Sequence, residues 1–268
     1  MKTIIYAVLF ILLLTACNDN GASNKDLKSD TAQAMTAAKN NYYMLYMPED
    51  SVIEAGKEVT LSFTPKIKEK ENQPVALDES HGKKVNLMVV KDDLSFFNQL
   101  WPEYKIDGSY IAKQKFPAGG KYHLILVYKP SSEAEKKTEN ILVNVTGKSA
   151  TEEKYNSNKF TASTDNYIVT LTPNMPMLKT NELLHFDGVV KQNNKEIDAS
   201  AFDTYLDGKA NLVLLKMDDK SYEHSHSEVR KGHLDFHHRF KQPGIYRGWL
   251  LFQNQGEVFT TDFTFDVK

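Results

Sequence analysis

Val85-Asn86-Leu87-Met88-Val89-Val90-Lys91 is echoed by Ala210-Asn211-Leu212-Val213-Leu214-Leu215-Lys216. Each stretch is a short apolar run with asparagine in second place and lysine at its end. Two further matches flank this pair in the same order. Phe116-Pro117-Ala118-Gly119-Gly120-Lys121-Tyr122 is echoed by Phe240-Lys241-Gln242-Pro243-Gly244-Ile245-Tyr246, and Leu61-Ser62-Phe63 by Leu184-His185-Phe186. The three offsets are 125, 124 and 123 residues. Three matches in one order at nearly one offset imply an internal duplication. Each copy is about 100 residues, an ordinary domain size.

Outward from these stretches, runs rich in Val, Leu, Ile, Tyr and Phe alternate with Gly, Pro, Asn and Asp clusters. Val59–Phe63, Tyr122–Tyr128 and Ile141–Val145 are examples. Short strands at such spacing predict an all-β fold of sandwich type, and no helical period of useful length competes. Gly119-Gly120 and Pro243-Gly244 supply turn geometry that side chains obstruct. Asp92-Asp93 and Asp218-Asp219 sit where Asp bonds local backbone in a turn. In the strand opened by Tyr246, period-2 alternation puts Tyr246, Gly248, Leu250 and Phe252 on one face and Arg247, Trp249 and Leu251 on the other.

The N-terminus has another character. Lys2 precedes an apolar run from Ile4 to Leu14, which ends in Leu14-Thr15-Ala16-Cys17. That order of basic, apolar and small residues is a secretory signal. The run is well short of the about 20 residues that span a bilayer. Leu-Thr-Ala-Cys resembles the lipobox of bacterial lipoproteins. The resemblance implies cleavage before Cys17, lipid on its thiol, and membrane attachment at the bacterial cell envelope, facing the periplasm or the surface. Cys17 is the only cysteine in 268 residues, so disulfides and thiolate metal sites are excluded. The expected order is a signal peptide (1–16), lipidated cysteine and flexible tether (17–41), a first sandwich (42–147), a linker (148–159) and a second sandwich (160–268).

Histidine is unevenly spread. Five of eight lie between positions 224 and 238: His224, His226, His233, His237 and His238. In an extended chain His224 and His226 share a face, and His233, Asp235 and His237 share another opposite Leu234 and Phe236. A hairpin closing across Ser227–Gly232 gathers His224, His226, His233, Asp235 and His237 on one surface. Imidazole and carboxylate in that number suit zinc or copper(II). The phase of His238 puts it in the core. His81 reads as solvated, His123 as a surface residue and His185 as structural. At the shared offset Gln99 stands where the second copy has His224, and Trp101 where it has His226. Met175-Pro176-Met177, Met44 and Met47 read as loop and edge packing.

Val89-Val90-Lys91-Asp92-Asp93-Leu94-Ser95-Phe96, followed by Pro102-Glu103, resembles a group of bacterial exported proteins with immunoglobulin-like repeats. Their repeats carry Asp-Leu-Ser, an aromatic residue and then His-x-His-Pro. Tyr222–His226 and Phe240–Trp249 resemble the same stretches in the second copy, and the resemblance covers roughly residues 42–268. It implies two tandem immunoglobulin-like β-sandwiches and the handling of copper or another heavy metal. His224 and His226 alone match the histidine motif. Ser227 stands in place of the proline, and Asn86 and Asn211 stand at a position often histidine.

Formal charge is −2, which favours neither nucleic acid nor an anionic surface. The sequence shows no phosphate-binding glycine loop, nucleophile elbow or His-Glu-x-x-His motif. The expectation is a non-catalytic envelope lipoprotein that binds copper or zinc through the second copy. The alternative is an immunoglobulin-like protein-interaction or structural module of the envelope that binds no metal.

Overall fold

The computed structural model describes residues 42–49 and 51–268. The signal peptide, Cys17 and the tether lie outside the described residues. The first copy contains β1 (Tyr42–Pro48), β2 (Ile53–Glu54), β3 (Glu58–Ile67), β4 (Val85–Lys91), β5 (Phe97–Leu100), β6 (Glu103–Tyr104), β7 (Tyr110–Lys115), β8 (Gly120–Tyr128) and β9 (Lys137–Thr146). They form two layers, in the orders β1-β3-β7-β6 and β2-β9-β8-β4-β5. Leu61, Phe63, Leu87, Val89, Phe116, Tyr122 and Leu124 fill the space between them.

The second copy contains β10 (Thr161–Thr164), β11 (Tyr167–Pro173), β12 (Leu184–Gln192), β13 (Lys195–Ile197), β14 (Ala210–Lys216), β15 (Tyr222–Arg230), β16 (His233–His238), β17 (Gly244–Asn254) and β18 (Glu257–Val267). Its core holds Phe186, Phe202, Leu212, Leu214, Phe236, Phe240, Tyr246, Phe252, Phe263 and Phe265. The chain is thus all-β, with two immunoglobulin-like sandwiches in tandem.

Equivalent residues occupy equivalent places. Lys91 pairs with Tyr122 and Lys216 with Tyr246, each at the end of an antiparallel ladder. The Tyr122 hydroxyl donates to the Ala118 carbonyl at 2.9 Å, and Tyr246 donates to Gln242 at 2.9 Å. Asp93 accepts from the Ser95 amide (3.1 Å), and Asp219 accepts from that of Ser221 (2.9 Å). The acidic pairs therefore do shape turns.

The copies differ where Pro102 meets its counterpart Ser227. In the first copy β5 pairs with β4 and β6 with β7, and Pro102 separates them. Proline has no N–H for a ladder, so the strand breaks there. In the second copy β15 runs unbroken. Its first half pairs with β14 and its second half with β16, which joins the two layers. The buried Ser227 hydroxyl accepts from the Ala210 amide at 2.8 Å and fixes the crossing.

A third apolar cluster lies between the copies. Met88, Val90, Leu94 and Ile125 of the first pack with Tyr205, Val213, Leu215, Trp249 and Leu251 of the second. The Phe97 and Trp249 rings stack at 4.6 Å and 13°. β4 and β14 therefore face their own core on one side and the other copy on the other. Burial on both faces accounts for the unbroken apolar runs, where a half-exposed strand alternates. Arg247, buried, crosses the seam, its Nε donating to the Leu94 carbonyl of the first copy at 3.4 Å. Its guanidinium donates to the Phe263 carbonyl, the Thr264 hydroxyl and Asp262 (2.9, 2.9 and 2.7 Å), and its face lies 4.0 Å from the Tyr155 ring.

Candidate ligand cleft between the repeats

At one end of this seam the two copies part around a cavity of about 310 Å³. The first copy lines it with His81, Lys84, Asn86 and Trp101, and the second with Asn211, Tyr222, His224 and His226. The alternation expected of Tyr222–His226 holds. Tyr222, His224 and His226 face the cleft, while Glu223, Ser225 and Ser227 are buried behind. Rings run in series along it: Tyr222 stacks on His224 at 5.4 Å, and His224 meets His226 edge-on at 5.1 Å. Burial pushes the Tyr222 phenol above its ordinary value. It also pushes Tyr205, whose hydroxyl donates to Gln99 across the seam (3.1 Å), up to about 12.

His81 is not simply solvated, which corrects the sequence reading. Its Nε2 lies 2.8 Å from Asp207 Oδ2 of the other copy, and His226 Nε2 lies 3.6 Å from the same oxygen. Nothing local in the sequence ties His81 to a residue 126 positions away.

The two asparagines at the repeated position diverge. Gln99 Nε2 donates to Asn86 Oδ1 at 2.9 Å. In the second copy His224 replaces that glutamine opposite Val213, as the offset predicts. Asn211 is 2% exposed, and its Oδ1 has no hydrogen-bond partner among the described residues. A buried acceptor without a donor costs about 1–3 kcal/mol, and Asn211 is one of the residues that line the cleft.

The five-residue set expected from the hairpin is not brought together. The hairpin does close, but only through Lys231 and Gly232, whose φ values of 53° and 82° suit a two-residue turn. Residues 227–230 are strand, not turn. Because β15 changes layer at Ser227, His224 and His226 face the cleft while His233, Asp235 and His237 belong to the layer of β12 and β16. The two groups have different surroundings. His233 Nδ1 lies 2.9 Å from Asp187 and its Nε2 3.2 Å from Glu196; the Asp187 carboxylate, against a smaller effect of burial, holds the imidazole above its ordinary 6.5. His237 sits opposite His185, and Asp187 opposite Asp235. His185, read as structural, thus meets Asp235 and His237, and no local spacing could reveal a β12–β16 register. His238 is buried and bonded to Glu223 at 2.7 Å, as its phase indicated. His123 is half-buried, 2.9 Å from both Asn140 and Asp92.

A family model described as a domain of unknown function (DUF8832) matches residues 162–268, within the second copy. No curated protein matches the chain. Similar solved structures include the Escherichia coli adhesin FdeC (12% identity, 86% of this chain, 65% of that one, TM-score 0.29). The Yersinia pseudotuberculosis adhesin InvE is 11% identical over 84% of this chain and 58% of that one, at TM-score 0.27. A two-domain fibronectin type-III segment of chicken tenascin is 14% identical over 82% of this chain and 98% of that one, at TM-score 0.24. The chain spans less than two thirds of either adhesin structure.

Proposed function

We propose that this chain is a non-catalytic binding protein of the bacterial cell envelope. Lipid on Cys17 holds it to a membrane, and the cleft between the repeats engages a protein partner. The observation that carries this reading is the buried Asn211 Oδ1, left without a donor in a cleft that both copies build. The equivalent Asn86 is satisfied within its own copy, so the cleft is specialised on the second side. The neighbouring hairpin of β6 and β7 supports a protein partner. Its Tyr104 is 60% exposed and its tip residue Ile106 fully so, and Lys84 of the cleft rim lies over the Tyr104 ring at 5.7 Å. Exposed apolar side chains beside a cleft suit an anchoring contact. The packed seam presents both copies as one surface, which lowers the ordering cost of binding.

The test is a photo-crosslinking amino acid at Tyr104, activated in living cells. A discrete adduct with an envelope protein is expected, and Asn211→Leu, which fills the cleft without an acceptor, should lower its yield at least tenfold. No adduct, or one unchanged by Asn211→Leu, refutes the reading. A transition metal is the second reading. One arrangement favours it: the imidazoles of His185 and His237 flank the Asp235 carboxylate.

A further inference from the structure

The outer face of β12, β16 and the second half of β15 carries a polar array. The register sets it in rows, because directly opposed residues on antiparallel strands point to the same side. His185 opposes His237. Asp187 opposes Asp235, which in turn opposes Glu228. The second row therefore places three carboxylates side by side, an arrangement that repels itself. Arg230, 3.9 Å from Asp235, and His233, bonded to Asp187, offset part of that charge. Glu228 makes no side-chain hydrogen bond or ion pair to another described residue.

We propose that His185, Asp235 and His237 bind a divalent first-row transition ion, zinc or copper(II), on this face. Their ligand atoms all lie within 4.8 Å of one another. His237 Nε2 is 3.3 Å from Asp235 Oδ2, and His185 Nδ1 is 3.8 Å from Asp235 Oδ1. Ligands around a tetrahedral zinc at about 2.0–2.1 Å stand about 3.4 Å apart. Side-chain rotation alone closes the difference. Asp235 is buried and set by its strand neighbours, while both imidazoles are part-exposed and meet edge to face, their ring centres 3.9 Å apart. The ion gains two imidazoles and a carboxylate, a donor set that suits both metals, and leaves a fourth position for water or Glu228. It also relieves the carboxylate row. Arg230, mostly exposed, swings aside. The site is separate from the cleft and independent of the partner proposed there.

The test is calorimetric titration of the full-length, tag-free chain in detergent with zinc chloride and with copper(II) sulfate at pH 7.5. One equivalent of each should bind, copper more tightly than zinc. His185→Ala/His237→Ala should weaken binding by more than about 100-fold, beyond what outer-shell changes cause. His224→Ala/His226→Ala should leave it unchanged. Should the first pair not fold by circular dichroism, the isosteric Asp235→Asn decides, with an expected loss of at least about tenfold. Copper(II) paramagnetic resonance should show two coupled imidazole nitrogens. Failure of the wild type to take up either metal overturns the proposal. So does uptake that survives the His185/His237 change, or that is lost with His224 and His226 instead.

Discussion

Trp249→Ala tests whether the seam makes the two sandwiches one unit. The indole is 4% exposed and stacks on Phe97 of the other copy. Burying about 200 Å² at about 25 cal/mol/Å² gives about 5 kcal/mol as an upper figure. Truncation of a buried Trp costs about 3–5 kcal/mol, of which the stacking supplies about 1. The loss falls mainly on the contact between copies, because each copy keeps the core within its own layers. Guanidinium unfolding followed by far-UV circular dichroism should give one transition for the wild type. In the variant Trp101, which lines the cleft, becomes the only fluorophore of its kind and reports its opening. Its fluorescence should change at lower denaturant than the dichroism. A cycle with Phe97→Ala should return a coupling of about 1 kcal/mol. Coincident transitions in the variant, a loss under about 1 kcal/mol, or additivity within about 0.3 kcal/mol would show that the stack does not join the copies.

Three other outcomes are expected. Ser227→Ala leaves the buried Ala210 amide without its acceptor and should cost about 1–3 kcal/mol, read as a lower urea midpoint; an unchanged midpoint removes the account of the layer crossing. Burial raises the Asp262 carboxyl, but hydrogen bonds from Lys159 and Arg247 outweigh it and hold the group below its ordinary 3.8. A depressed folded value means the contribution is present above about pH 4 and lost as pH falls through the folded value, so wild type and Asp262→Asn should differ at pH 7 and converge in acid; a constant gap refutes the pairing. Cys17→Ser should abolish lipid attachment and leave the protein soluble or unprocessed in cell fractionation, and unchanged sedimentation with membranes would remove the lipoprotein reading.

The repeats were legible because duplication leaves local strings in fixed order. Val85–Lys91 and Ala210–Lys216 read as matched strands, and period-2 alternation put Tyr246, Leu250 and Phe252 on one face, which the structure turns to the core. The same rule set His224 beside His226 on one face, since that depends only on neighbours two apart. Tertiary structure decided what those faces meet. Pro102 breaks the first copy's strand where Ser227 carries β15 from one layer into the other, and that single crossing parts His224 and His226 from His233, Asp235 and His237. The partners His81, Asp207 and His185 come from strands and loops far away in the chain. Their proximity is fixed by how strands pair and how one sandwich packs on the other. A string of residues carries the alternation of a strand, but register and inter-repeat contact arise only when buried surfaces are matched in three dimensions.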